Sequence, residues 1–149
     1  MMDKLSVATA AVAITTSIIG IWINVIVGVC IALDKKLRKT PITTLMINLI
    51  GTDLVYCISV LPIHTLYDVK SEWFARYTLI CQMSVFWRYT VGTVEFLTVA
   101  VMAVETYTSI CQNKLHKKMV TIKRMVVVIL IIWVGSMCYF VLPWIKVMG

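Results

Sequence analysis

The chain has 149 residues, of which 60% are hydrophobic and 14% charged, with a mean hydropathy of +0.92 and a formal net charge of +7. Soluble domains carry about 25% charged residues, so this composition excludes an ordinary water-soluble domain. The surplus of positive charge has no aromatic interleaving, which argues against a nucleic-acid partner and for the anionic surface of a bilayer.

Four stretches reach the roughly 20 apolar residues needed to cross a hydrocarbon core. The first, residues 5–33, holds no charge. Its apolar run is about twice the 7–15 residues of a signal-peptide core and ends without an A-x-A site, so it reads as a retained helix. The turn that follows, "DKKLRK", carries Lys35, Lys36, Arg38 and Lys39.

The second stretch, residues 41–67, holds one charge, Asp53. Thr40 and Pro41 suit a helix start, because proline at the first helical position loses no hydrogen bond. Pro62 lies deep in the same stretch. It predicts a kink, since it frees a carbonyl one turn back and its ring clashes there.

The third stretch, residues 77–111, contains Arg88, Glu95 and Glu105. Cys81, Arg88 and Glu95 are spaced seven apart, nearly two full helical turns, and so share one face. Lipid would reject that face, which is therefore expected to look into the bundle. Arg88 would then offer an anchor to an anionic ligand group, or would snorkel outward or bridge to an internal acid. The fourth stretch, residues 125–145, holds no charge and carries Trp133, Pro143 and Trp144. Pro143 reads either as a second kink or as a helix end. The tryptophans read as interface anchors or packing residues.

These spans give one all-α transmembrane bundle, residues 1–149, without linker, repeat or second domain. Lysine and arginine placement sets its orientation. Residues 34–40 carry four cations, and residues 112–124 carry five: Lys114, Lys117, Lys118, Lys123 and Arg124. Both segments fall on one side, against Lys4, Lys70, Arg76 and Lys146 on the other. Residues 34–40 and 112–124 are thus expected in the cytoplasm and the N-terminus outside.

Intramembrane charges cost a few kcal/mol each, so each needs a reason. Asp53 lies about 18 Å along its helix from the cytoplasmic start, and Glu95 about 24 Å from the cytoplasmic end of its own. The two acids therefore fall at similar depth. Two neighbouring carboxylates in low dielectric do not both stay ionised and unpaired, so a cation sits between them or one holds a proton. Asn24 and Asn48 offer amides at neighbouring depths. The alternative is that each acid is neutral and bonded to a neighbouring helix. An enzyme is not indicated. His64 and His116 fall on opposite sides, and no metal-ligand spacing, phosphate loop or nucleophile set is visible.

Taken together, the motifs resemble the N-terminal half of a rhodopsin-like (class A) G-protein-coupled receptor. The first helix has its single asparagine, Asn24. The second reads "INLIGTDL", with Asn48, Leu49, Asp53 and Leu54 in the family's N-L-A-x-x-D-L pattern, followed by Pro62. Trp73 precedes Cys81 by eight residues, and the position of the family's central arginine follows Cys81 by 25. Trp133 and Pro143 complete the set. "KTPITTLMINL" and "FWRYTVGTVEFLTVAVMAVETY" are loosely similar to the melatonin and moody/trapped-in-endoderm receptors.

The resemblance implies a plasma-membrane receptor for a ligand, signalling to a heterotrimeric G protein. Asp53 matches the family's sodium-binding acid, with Asn24 in support; Glu95 stands where that pocket usually has serine, favouring protonation or tighter cation holding. Arg88 stands where amine receptors have aspartate, which favours an anionic ligand over an amine. Cys81 matches the cysteine that pairs with the second outer loop, whose partner is not in this chain. Glu105, Thr106 and Tyr107 take the place of the family's Asp-Arg-Tyr. Threonine lacks the reach and charge of that arginine, so weak or absent coupling is expected, while Glu105 alone also reads as an interfacial acid paired with Lys114 or Lys117. Helices five to seven lie beyond Gly149, so a truncated product or a fragment that does not signal alone is expected. Two further functions stay open: a small ion or proton carrier using Asp53 and Glu95, and a dominant-negative partner that dimerises with a full-length receptor.

Overall fold

The computed structural model describes the backbone of residues 4–69, 78–111 and 120–148, and the side chains of residues 7–67, 79–111 and 120–142. Lys70, Trp73, Arg76, Lys114, His116, Lys117 and Lys118 lie outside the described residues, as do the side chains of Lys4, Pro143, Trp144 and Lys146. Among the described residues there is no strand. Four helices among these residues are long and apolar enough to cross a membrane.

Helix α1 spans Lys4–Leu33. Helix α2 has three parts: α-helix over Pro41–Val55, a π-turn over Tyr56–Val60, and α-helix again over Leu61–Val69. Helix α3 spans Thr78–Cys111, and α4 spans Ile122–Met148. The last does not end at Pro143 but runs past it. Helix α2 is the centre of the bundle, packed against α1 on one side and against α3 and α4 on the other. One end of the bundle, here the basic end, gathers the α1–α2 turn, the close of α3 and the start of α4. The opposite end is the far end.

Lipid offers no hydrogen bonds, so polar side chains must find partners within the protein. The helix hydroxyls do so by folding back. Thr15 and Thr16 donate to the carbonyls of Ala11 (2.8 Å) and Val12 (2.7 Å). Ser59, Thr65, Thr98 and Thr106 do the same to the carbonyl four residues earlier. This bond offers the hydroxyl a partner one turn back, so helices can face lipid while carrying threonine.

The α1–α2 turn is fixed by its own side chains. Asp34 Oδ1 accepts the backbone N–H groups of Lys36 (2.7 Å) and Leu37 (3.3 Å). The hydroxyls of Thr40 and Thr43 lie 2.6 Å apart, both within hydrogen-bond distance of the Leu37 carbonyl. Pro41 then opens α2 at the first helical position, with Thr40 as its N-cap residue.

The disturbance expected from Pro62 takes the form of the π-turn just ahead of it. The Leu61 N–H bonds to the Tyr56 carbonyl, five residues back, instead of the Cys57 carbonyl. The Cys57 carbonyl is thereby left without its helical donor. Ser17 of α1 supplies one: its hydroxyl donates to the Cys57 carbonyl. The two helices are very close here. A Cβ added at Gly20 would stand 2.7 Å from Cys57 Sγ, so only glycine fits without displacement.

Candidate functional site

The membrane-embedded acids meet. The Asp53 carboxyl, on α2 one turn before the π-turn, lies close to the Glu95 carboxyl of α3 and to the Asn24 amide of α1. Asn24 also donates to the Gly20 carbonyl of its own helix at 2.9 Å. All three residues are half-buried. Glu95 Oε1 is buried and has no hydrogen-bond partner, so the contact with Asp53 leaves acceptor capacity unused. Three helices thus converge on one pair of carboxyl groups at mid-bundle.

Asn48 does not join them. Its amide donates to Thr98 Oγ1 of α3 (3.0 Å), and its carbonyl oxygen accepts the indole N–H of Trp133 of α4 (3.0 Å). The sequence placed Asn48 beside the acids by depth, but five residues of helix turn it about 140° from Asp53, toward Thr98 and Trp133. Trp133 is correspondingly an internal tie between α4 and α2, not an interface anchor.

Toward the far end, α2 and α3 line an open cavity of about 960 Å³. Val60, His64 and Tyr67 line it from α2; Cys81, Trp87 and Arg88 line it from α3. Below it lies a second cleft of about 350 Å³, lined by Tyr56, Arg88, Tyr89, Glu95 and Phe96 among others. Arg88 belongs to both. The expected common face of Cys81, Arg88 and Glu95 is inward-facing at its two ends, where Cys81 and Glu95 are half-buried. Arg88 between them is exposed and lines both spaces. Among the described residues no acid forms an ion pair with it. Cys81 is a free thiol at the far end of α3.

At the basic end, Glu105 is 7% exposed and Tyr107 61% exposed. Thr106, between them, is exposed, and its hydroxyl donates to the Met102 carbonyl at 2.8 Å. That bond keeps the side chain against its own helix and gives it no reach toward a neighbour. The pairing of Glu105 with Lys114 or Lys117 falls outside the described residues.

Residues 23–148 match the family profile described as 7 transmembrane receptor (rhodopsin family). The chain belongs to that family. Similar proteins include 5-hydroxytryptamine receptor 1B of Oryctolagus cuniculus, 29% identical over 120 residues, covering 80% of this chain and 30% of the relative. Human 5-hydroxytryptamine receptor 1E is 29% identical over 134 residues, covering 90% of this chain and 36% of the relative. Human olfactory receptor 4Q2 is 28% identical over 122 residues, covering 78% and 37%. The chain spans about a third of the length of these curated relatives. It is a rhodopsin-family membrane protein, and its described part holds four of the family's seven helices.

Sequence reasoning missed the Ser17 bond to the Cys57 carbonyl, the Gly20 contact, and two further buried hydroxyls. Thr90 of α3 and Ser136 of α4 are 0% and 4% exposed, and neither hydroxyl has a partner. A small residue on each of two helices is a weak signal by itself, and nothing in the spacing says which ones face each other.

Proposed function

We propose that this chain forms the ligand-receiving part of a plasma-membrane receptor that signals through a heterotrimeric G protein, with its N-terminus outside and the basic end in the cytoplasm. The ligand enters from the far end and presents an anionic group to Arg88. What carries this is the placement of Arg88: an exposed guanidinium, with no acid partner among the described residues, that lines two neighbouring spaces on the helix that also bears Glu95. A cation in that position repels the amines that an aspartate would hold. Beneath it, Asp53, Glu95 and Asn24 hold either a shared proton or a sodium ion between the two carboxyl groups.

Coupling to the G protein is weak, because Thr106 keeps its hydroxyl on its own helix and presents no cation at the basic end. The remaining helices of a receptor come from elsewhere in a longer product or from a second receptor with which this chain dimerises; in the latter case the chain is a dominant-negative partner. The test is binding of a simple carboxylate, 3-phenylpropionate, to the chain in lipid nanodiscs. Binding that falls about tenfold or more in Arg88→Ala, as expected for loss of a charge-assisted hydrogen bond, supports an anion anchor; unchanged binding overturns it.

The contact between Asp53 and Glu95 also favours a second reading, a small ion or proton carrier. Sodium or proton flux in liposomes that disappears in Asp53→Asn would support it. An impermeable liposome would leave the receptor alone.

A further inference from the structure

The α1–α2 turn displays Lys35, Lys36, Arg38 and Lys39, all exposed. Its one acid, Asp34, is turned to the backbone, where Oδ1 accepts the N–H groups of Lys36 and Leu37. Among the described residues no acid pairs with any of the four cations. The turn is fixed from its other side by the Thr40 and Thr43 hydroxyls, which both bond to the Leu37 carbonyl. A fifth cation comes from α4. The Asn48–Trp133 bond sets those two residues at one level, with Pro41 about 10 Å and Lys123 about 15 Å below it toward the basic end. Lys123, also exposed, therefore stands at the height of the turn.

Above these cations α2 has an uncovered apolar face. Ile50 points to Gly28 of α1, and Asn48 points to Trp133 of α4. A rotation of about 100° per residue puts Ile47 and Gly51 between those two directions, and both are exposed. Gly51 supplies no side chain, and a Cβ added there would meet nothing within 4 Å. Helix α2 is thus the floor of a lipid-facing groove flanked by α1 and α4, open at its lower end onto the cations. A surplus of cations by itself is what membrane orientation requires. A fixed turn of exposed cations beneath an apolar groove matches an amphiphile, with an anionic head and a hydrocarbon tail.

We propose that the basic end binds one lipid whose headgroup carries two or more phosphomonoesters, with the phosphates on the α1–α2 turn and Lys123 and an acyl chain along Ile47 and Gly51. Each phosphomonoester carries about −1.5 to −2 charges at neutral pH, so two of them balance the cations of the turn. A serine headgroup, with a single net negative charge, leaves most of those cations unmatched. A free phosphate has no use for the groove. The site lies at the opposite end from Arg88 and depends on no ligand there. It takes from the proposed function only that the basic end faces the cytoplasmic leaflet.

The purified chain in detergent micelles is titrated with fluorescent phosphatidylinositol bisphosphate, and binding is read by anisotropy. Unlabelled phosphatidylserine and inositol trisphosphate, the free headgroup, are expected to compete about tenfold or more weakly than the unlabelled bisphosphate lipid. Lys36→Gln, Arg38→Gln and Lys39→Gln together are expected to weaken the lipid by about tenfold or more. Gly51→Leu, which fills the groove floor from an exposed position, should weaken the lipid severalfold and leave inositol trisphosphate unchanged. Circular dichroism of each variant checks that the helices persist. Equal competition by phosphatidylserine would reduce the site to a diffuse cationic surface and overturn the proposal, as would a triple variant that binds like the unaltered chain. If the free headgroup competes as well as the lipid, or Gly51→Leu changes nothing, the ligand is a soluble phosphate and the lipid is wrong. Any of these failures leaves the Arg88 anchor standing, because its own probe, 3-phenylpropionate, is read at the other end of the bundle.

Discussion

The indole N–H of Trp133 and the side-chain carbonyl of Asn48 meet at 3.0 Å, joining α4 to α2 in the middle of the bundle. The same asparagine passes its amide to Thr98 of α3 at 3.0 Å. One side chain therefore ties three helices. In lipid, where apolar surface gives helices little reason to prefer each other over the solvent, such bonds fix relative rotation.

Replacing Asn48 with leucine removes both bonds and strands the indole N–H and the threonine hydroxyl. The expected loss is about 1–2 kcal/mol, since membrane hydrogen bonds average about 0.6 kcal/mol each and the stranded groups add to it. Thermal unfolding in nanodiscs measures it. Trp133→Phe should cost less, and the double variant less than the sum, as coupled partners do. Strict additivity would mean the bond is not formed.

Gly20→Ala is expected to destabilise the α1–α2 contact by about 1–3 kcal/mol, because the new methyl group would lie 2.7 Å from Cys57 Sγ. Removing the sulfur as well should restore much of the loss. Equal stability of Gly20→Ala and the unaltered chain would show that the two helices do not approach as described.

Ser17→Ala leaves the Cys57 carbonyl without a donor inside the membrane, at an expected cost of about 1–3 kcal/mol. The same change in a Pro62→Ala background should cost less. Without the proline the π-turn can relax to α-helix, and the Leu61 N–H then reaches the Cys57 carbonyl by itself. An identical cost in both backgrounds would separate the serine from the π-turn.

Thr106→Arg is expected to raise nucleotide exchange on a G protein in cells expressing the chain together with a full-length receptor. It restores a long cation at an exposed site on the basic end, where the threonine hydroxyl now turns back to Met102. No rise would count against Thr106 as the cause of the weak coupling proposed above.

The two ends of α3 should be reachable from opposite sides of the membrane. A bilayer-impermeant maleimide is expected to label Cys81 from outside intact cells and Cys111 only after the cells are opened. Labelling of Cys111 from outside would reverse the proposed orientation.

The helices themselves are legible in the sequence because length and hydropathy decide them: residues 5–33 hold no charge, and α1 covers Lys4–Leu33. α4 begins at Ile122, ahead of the apolar run at 125, because Lys123 and Arg124 sit in its first turn and composition alone stops at charged residues. Depth is legible too, since axial rise per residue is fixed, and rise alone puts Asp53 and Glu95 at one level. Rotation is not. Asn48 and Asp53 are five residues apart, and only the packing of α2 against its neighbours says that one turns to Thr98 and Trp133 and the other to Glu95. Pro62 announces a disturbance, but its form, a π-turn answered by Ser17, depends on a hydroxyl 40 residues away.

A π-turn carries one residue more than the α-turn it replaces, and that surplus sets the phase of everything after it. Straightening it to α-helix without removing a residue would swing His64 and Tyr67 about 100° around the axis while leaving Asp53 where it is, whereas deleting one position between 56 and 60 would keep them on the same face. The wall of the larger cavity can thus be re-aimed by the winding of one turn, independently of the carboxyl pair beneath it.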